Sequence, residues 1–163
     1  MTTIMLWRHA KTQPGSPEFS DRERELLPVG HTDAESVAHR LLEEGLIPDR
    51  VLSSDAARAR QTTVAVAWLL PAGVERMELL ELYHADAAEL PDIIAVYAGG
   101  ARRVLVVGHN PAVAEFVSRA AGTETRMRPG YLAVIEAEAS HAGDLDRASG
   151  YTLKRIIVPP RYS

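Results

Sequence analysis

The sequence predicts an α/β fold, a three-layer α/β/α sandwich around a mostly parallel central sheet with an antiparallel edge. Three observations carry this reading. Strand and helix signals alternate from the amino terminus to about residue 122, the pattern of a sheet covered by helices on both faces. The runs 3–7 and 103–107 are apolar after their first residue, as strands buried in such a sheet require. Beyond residue 122 two further strand-like runs, 131–138 and 151–158, follow one another with only a polar loop between them, which suits a hairpin at the sheet edge.

In chain order, 3–7 is the first strand, and 11–28 follows as an irregular polar segment holding Pro14, Gly15, Pro17 and Pro28. Long segments without regular structure tend to be functional in compact domains. Gly30 or Thr32 opens a helix through about Glu44, with Ala34, Val37, Ala38, Leu41 and Leu42 at helical spacing and Gly45 as its stop. A second strand spans 49–54, and Ser54 or Asp55 is placed to cap a helix reaching about Leu70, ended by Pro71 and Gly73. Val74 to Leu82 reads as a third strand and Asp86 to Tyr97 as a helix stopped by Gly99 and Gly100. After the fourth strand at 103–107, Pro111 suits the first turn of a helix that carries Val113, Phe116, Val117 and Ala120 and stops at Gly122. The loop of the last hairpin holds Gly143, Asp144 and Gly150.

A length of 163 residues, without repeats or low-complexity linkers, suits a single domain over 1–163. The net charge of −4 offers no global attraction to nucleic acid or to an anionic membrane surface. With no cysteine, thiolate catalysis, disulfides and cysteine-bound zinc are excluded. No apolar run approaches the roughly 18 residues of a membrane span, and no leader pattern precedes the first strand, so the expected location is cytoplasmic. All but two of the 18 basic residues are arginines, whose planar fork suits phosphate, although most lie on predicted helix faces.

Chemistry concentrates in three segments, each following a predicted strand: Arg8-His9-Ala10-Lys11, Ser53 to Thr62 with Arg58 inside it, and Gly108-His109-Asn110-Pro111. In an open α/β sheet the carboxyl ends of the strands border the ligand crevice, so all three should open onto one edge. Positive charge beside an imidazole disfavours its protonation, and a neutral imidazole is a nucleophile. Arginines can hold phosphoryl oxygens in bidentate fashion and balance their charge. A protonated second histidine would add to that clamp, and the helix beginning near Pro111 could aim backbone N–H groups at the same anion. Such a set can pass a phosphoryl group to a histidine and then to water.

These segments resemble the histidine phosphatase superfamily, whose fold is phosphoglycerate mutase-like, and within it the short SixA-like phosphohistidine phosphatases. The Arg-His-Gly signature of that superfamily is matched by Arg8-His9-Ala10. A Ser-Ser-Pro-x-x-Arg-Ala-x-Gln-Thr segment is matched by Ser53 to Thr62 with Asp55 at the proline, and the second-histidine motif by Gly108 to Pro111. Leu82-Tyr83-His84-Ala85 is similar to a Leu-Tyr-x-Ala segment of the subgroup, and Asp21 and Arg24 to an Asp-x-x-Arg-x-Leu segment. The resemblance implies a hydrolase in which His9 is phosphorylated, Arg8 and Arg58 bind the phosphoryl group and His109 stabilises the transfer. It also suggests Glu81 as proton donor and Lys11, Arg24 and Asn110 as substrate contacts. His31, His39, His84 and His141 have no supporting motif, and neither a metal nor an organic cofactor is called for.

The substrate implied is phosphohistidine on a protein. A phosphate monoester releases an alkoxide and benefits from a general acid, whereas a P–N bond breaks to release an imidazole and needs less help. The alternatives are a broad phosphomonoesterase or mutase acting on a small phosphorylated metabolite, and a non-catalytic module that binds phosphorylated ligands. A nucleotide-binding α/β domain would need a glycine-rich loop after the first strand, where Arg8 to Lys11 has no glycine. The sequence leaves the oligomeric state open.

Overall fold

A computed structural model describes residues 1–162. Among these residues six strands form one sheet in the order β3-β2-β4-β1-β5-β6. They are β1 (Thr2–Arg8), β2 (Arg50–Ser54), β3 (Glu75–Leu79), β4 (Arg103–Gly108), β5 (Leu132–Ala137) and β6 (Tyr151–Ile157). The pairs β1–β4, β2–β4 and β2–β3 are parallel, while β1–β5 and β5–β6 are antiparallel. The predicted parallel sheet with an antiparallel edge is therefore the observed one.

The side chains of β1 alternate between two cores, as the pleat of a strand dictates. Met5 and Trp7 pack with Val51, Leu105 and Val107 against Ala34, Val37, Ala38 and Leu41 of α1 (Pro28–Glu43) and Ala59 and Val66 of α2 (Ala57–Ala67). Ile4 and Leu6 face the opposite core with Leu52, Val104 and Val106. That core is covered by Leu90, Ile94 and Ala98 of α4 (Leu90–Ala98) and Val113, Phe116 and Val117 of α5 (Ala112–Ala121). Each face of the sheet thus carries a pair of helices, which gives the three layers.

Some boundaries differ from the sequence reading for identifiable reasons. Pro28 is the first residue of α1 rather than part of the preceding loop, a position where its missing N–H costs nothing. The third strand stops at Leu79, and Leu80–His84 turns into a short helix, α3, instead of continuing to Leu82. The helix after β2 is shorter than expected, and Asp55 does not cap it but pairs with Arg22. The loop between β5 and β6 is not a free tip. It holds a 3-10 turn, Ala142–Arg147, whose Ala142 and Gly143 N–H groups donate to the carbonyls of Ala101 and Gly99, seating it below α4.

The register places the site. Arg8 of β1 lies opposite Gly108 of β4, so the two parallel strands end at the same level and His9 and His109 leave them side by side. Gly130 closes this end of the sheet. Its N–H lies 3.0 Å from the His9 carbonyl, its own carbonyl accepts from the Trp7 indole N–H, and its φ of 85° is one that side chains disfavour.

Candidate active site

The imidazoles of His9 and His109 face each other with ring centroids 5.2 Å apart. They line a cavity of about 500 Å³ together with Arg8, Lys11, Asp21, Arg24, Arg58 and Asn110. The three motifs that the sequence places at strand ends therefore meet in one pocket, with the loop 11–28 folded over them.

His9 is buried, and its Nδ1 lies 2.8 Å from the carbonyl oxygen of Ala10. A carbonyl only accepts, so Nδ1 carries the hydrogen and Nε2 keeps its lone pair. Burial, with His109, Arg58 and Arg8 adding positive charge or its prospect, pushes the His9 pKa down to about 3, so the ring is neutral near pH 7. Desolvation outweighs the neighbouring guanidinium groups that the sequence suggested as the cause.

His109 is likewise drawn down, to about 4, first by burial and then by Arg58. It is a neutral ring at physiological pH, not the protonated member of a clamp that the sequence allowed. Its Nε2 is 2.7 Å from the Ser54 hydroxyl oxygen, and the Tyr83 ring stands edge-on to it at 5.5 Å.

Arg8 is fixed by donation from Nη1 to the carbonyl of Met127, which also accepts from the Asn110 side-chain amide. Arg58, buried on the first turn of α2, donates to the backbone carbonyl and carboxylate of Asp21. The same carboxylate accepts from Arg24 and from the Tyr83 hydroxyl, which hold it well below the usual carboxylate range. Arg24 also reaches the Gln13 carbonyl and the Thr12 hydroxyl, fastening the loop to the pocket rim. Thr62 stitches the two walls together: its oxygen accepts from the Ala10 N–H while its hydroxyl donates to the Arg58 carbonyl.

Among the described residues, Arg8 Nε, Arg58 Nε and His109 Nδ1 are buried polar atoms without a hydrogen-bond partner, and all three belong to residues of this pocket. Buried polar atoms in native structures are normally satisfied, so three unpartnered ones on residues of a single pocket mark a place for a polar ligand. Chemically the pocket offers a neutral nucleophilic nitrogen beside donors suited to an anion with several oxygens.

Two further expectations are not met. Glu81 is on α3, exposed, with its carboxylate accepting from Tyr97 and held ionised; it is not among the residues that line the cavity. At the start of α5 the Val113 and Ala114 amides are not free for the pocket, because Val113 donates to the His109 carbonyl and Ala114 to the Asn110 side chain. Asp21, Ser54, Thr62 and Tyr83 take part in the site although the sequence gave them no role in it. All four lie inside segments that carry the family resemblance, and that was the available signal. Among the described residues no group of three His, Cys, Asp or Glu is placed to hold a metal ion. No helix among them is long and apolar enough to cross a membrane.

Residues 4–92 match the model of the histidine phosphatase superfamily (branch 1), and the chain belongs to that superfamily. Within it, the structure is similar to SixA proteins. The candidate phosphohistidine phosphatase SixA of Agrobacterium tumefaciens is 27% identical, with a TM-score of 0.81 over 97% of this chain and 98% of that one. The corresponding candidate from Nakamurella multipartitia is 26% identical, with a TM-score of 0.82 over 98% and 96%. A mycobacterial glucosyl-3-phosphoglycerate phosphatase, at 16% identity and a TM-score of 0.66 over 94% and 97%, shares the fold. An uncharacterized chloroplastic protein of Arabidopsis thaliana is 26% identical across 96% of this chain and 77% of its own length.

Proposed function

We propose that this chain hydrolyses phosphohistidine on proteins through a covalent phospho-His9 intermediate. The observation that carries the reading is the tautomer of His9: Nδ1 is tied to the Ala10 carbonyl, which leaves the Nε2 lone pair for the pocket where Arg8, Arg58 and His109 hold buried, unpartnered donors. His9 Nε2 attacks the phosphorus of a phosphohistidine whose other ring nitrogen is protonated, the P–N bond breaks so that the substrate ring leaves as a neutral imidazole, and the three donors take the equatorial oxygens. Water then attacks the phosphorus of phospho-His9, its P–N bond breaks, inorganic phosphate leaves and His9 regains its lone pair. The Ala10 carbonyl keeps Nδ1 protonated throughout, so that the ring leaves in the second step as a neutral imidazole.

Glu81 bears on the leaving group. A carboxylate held ionised by Tyr97 and outside the cavity is a poor general acid, and an alkoxide needs one more than an imidazole does. A second cavity, of about 800 Å³, shares the lining residue Asn110 with the first. The similarity to SixA proteins supports the same substrate class. Lys11, Arg24 and Asn110, on the pocket wall, are the proposed substrate contacts.

The test is steady-state hydrolysis of a phosphohistidine peptide beside an aryl and an alkyl phosphate, with wild type and His9→Ala. We expect the peptide to be the preferred substrate, the alkyl ester the poorest, and no turnover by the variant. An acid-labile, base-stable phosphate should be trapped on wild type alone. Preference for the alkyl ester would favour the small-metabolite phosphatase, and phosphopeptide binding without turnover would favour a non-catalytic module.

A further inference from the structure

We infer that Ser54 is a positioning residue: its hydroxyl donates to His109 Nε2 and thereby presents a neutral His109 to the phosphoryl group as an Nδ1–H donor. The inference rests on the proposed phosphatase reading and adds the residue that sets the state of the second histidine.

Proton bookkeeping leads to it. Ser54, at the carboxyl end of β2, is fully buried, and its oxygen accepts from the Ala56 N–H at 3.2 Å. The hydroxyl hydrogen still needs an acceptor, and His109 Nε2 lies 2.7 Å away. If Nε2 carried the hydrogen instead, it would donate to Ser54, whose own hydrogen would then be buried without an acceptor, a cost of about 1–3 kcal/mol. With Ser54 donating, the single hydrogen of the neutral ring sits on Nδ1, because the hydrogen bond made by one ring nitrogen decides the state of the other. Nδ1 is the buried atom of His109 that has no partner, and His109 lines the cavity. The opposite tautomer would turn a lone pair toward a dianion and lose a donor at the position where charge is to be stabilised.

The charged and titratable groups around the ring are Arg58, Arg8, Arg24 and Asp21, with His9 and Tyr83 against its faces. The arginines disfavour a second positive charge there, so a neutral donor is the form of His109 that the pocket can hold. Ser54 and His9 together specify complementary rings. One imidazole is protonated on Nδ1 and open at Nε2 for attack, and the other is capped at Nε2 and open at Nδ1 for donation.

Nitrogen-15 NMR of protein labelled in the histidine rings tests this without any substrate. Wild-type His109 should show a protonated Nδ1 and a hydrogen-bonded, unprotonated Nε2 at pH 7; a protonated Nε2 would overturn the inference. In Ser54→Ala the bond that favours the neutral ring is gone, so the His109 titration midpoint should rise above its wild-type value. On an aryl phosphate, kcat should fall by about tenfold to a hundredfold, the effect of losing one oriented donor or part of it, with a smaller change in KM. Ser54→Cys, which retains a weaker donor in nearly the same volume, should recover part of both changes. An unchanged midpoint with kcat equal to wild type in Ser54→Ala would overturn the proposal. Because the tautomer is read from the resting protein, a failed phosphatase assay and a failed Ser54 assignment remain separate results.

Discussion

Both terminal nitrogens of Arg58 are held by Asp21: Nη1 donates to its backbone carbonyl at 2.7 Å and Nη2 to its carboxylate at 3.0 Å. A residue of the loop after β1 thus occupies the hydrogen-bonding fork proposed to receive a phosphoryl group. Before Arg58 can use Nη2 on a ligand, the carboxylate has to move aside; freeing Nη1 as well needs the Asp21 backbone to shift.

Replacing Asp21 by Asn should therefore tighten the binding of inorganic phosphate. The Asp21 side chain is 51% exposed, so the contact it gives up is that of a partly screened pair. The inhibition constant for phosphate should fall by about two- to fivefold at low ionic strength, and added salt should narrow the difference. Weaker phosphate binding in the variant would mean that Asp21 chiefly orients Arg58 instead of competing for it.

Thr62→Val should cost stability and activity together. Valine nearly preserves the volume but leaves the buried Ala10 N–H without its acceptor, a loss of about 1–3 kcal/mol. Urea unfolding would measure it. Because Ala10 also positions Nδ1 of His9, kcat on an aryl phosphate should drop more than KM rises. Wild-type stability in the variant would show that the Ala10 N–H has found another acceptor.

Stability should decline as pH falls below the ordinary histidine range. His9 and His109 have folded pKa values near 3 and 4 against 6.5 for the unbound side chain. Between these limits the unfolded chain binds protons that the folded chain refuses, so stability rises with pH through this window and levels off above it. Asp21, held low, adds loss in the same direction below the usual carboxylate range. Urea midpoints from pH 4 to 8 would check this, and His109→Gln should flatten the slope. A slope equal to wild type in that variant would contradict the assigned shift.

Glu81→Gln should leave hydrolysis of phosphohistidine and of an alkyl phosphate unchanged within about twofold, as expected for an exposed surface substitution. A selective loss on the alkyl ester would reinstate Glu81 as the proton donor.

The sheet was legible because its signals are local. Apolar runs of strand length, helical spacing at Ala34 to Leu41 and the stop at Gly122 each lie within a few residues, and the structure follows them with small shifts at the ends. The third strand was read too far because Leu79 to Leu82 is as apolar as a strand end, while the short helix from Leu80 is set by packing of Leu82 into the core. That turn carries Glu81 out to Tyr97, and an assignment based on distance along the chain could not register it.

By itself the sequence determined the neighbourhood of the two pocket histidines. Arg8-His9 and Gly108-His109 end two buried strands, and parallel pairing of such strands brings their carboxyl ends to one level whatever the loops do. Tertiary structure alone decided which hydrogen bonds set the protonation of those rings and which charges reach the arginines. The Ser54 bond to His109 spans 55 residues, the Asp21 contact with Arg58 spans 37, and the Met127 carbonyl on Arg8 lies 119 residues away. Contacts of that span leave no periodicity in the sequence, because they depend on the path of each loop and on which polar atoms burial leaves in need of a partner.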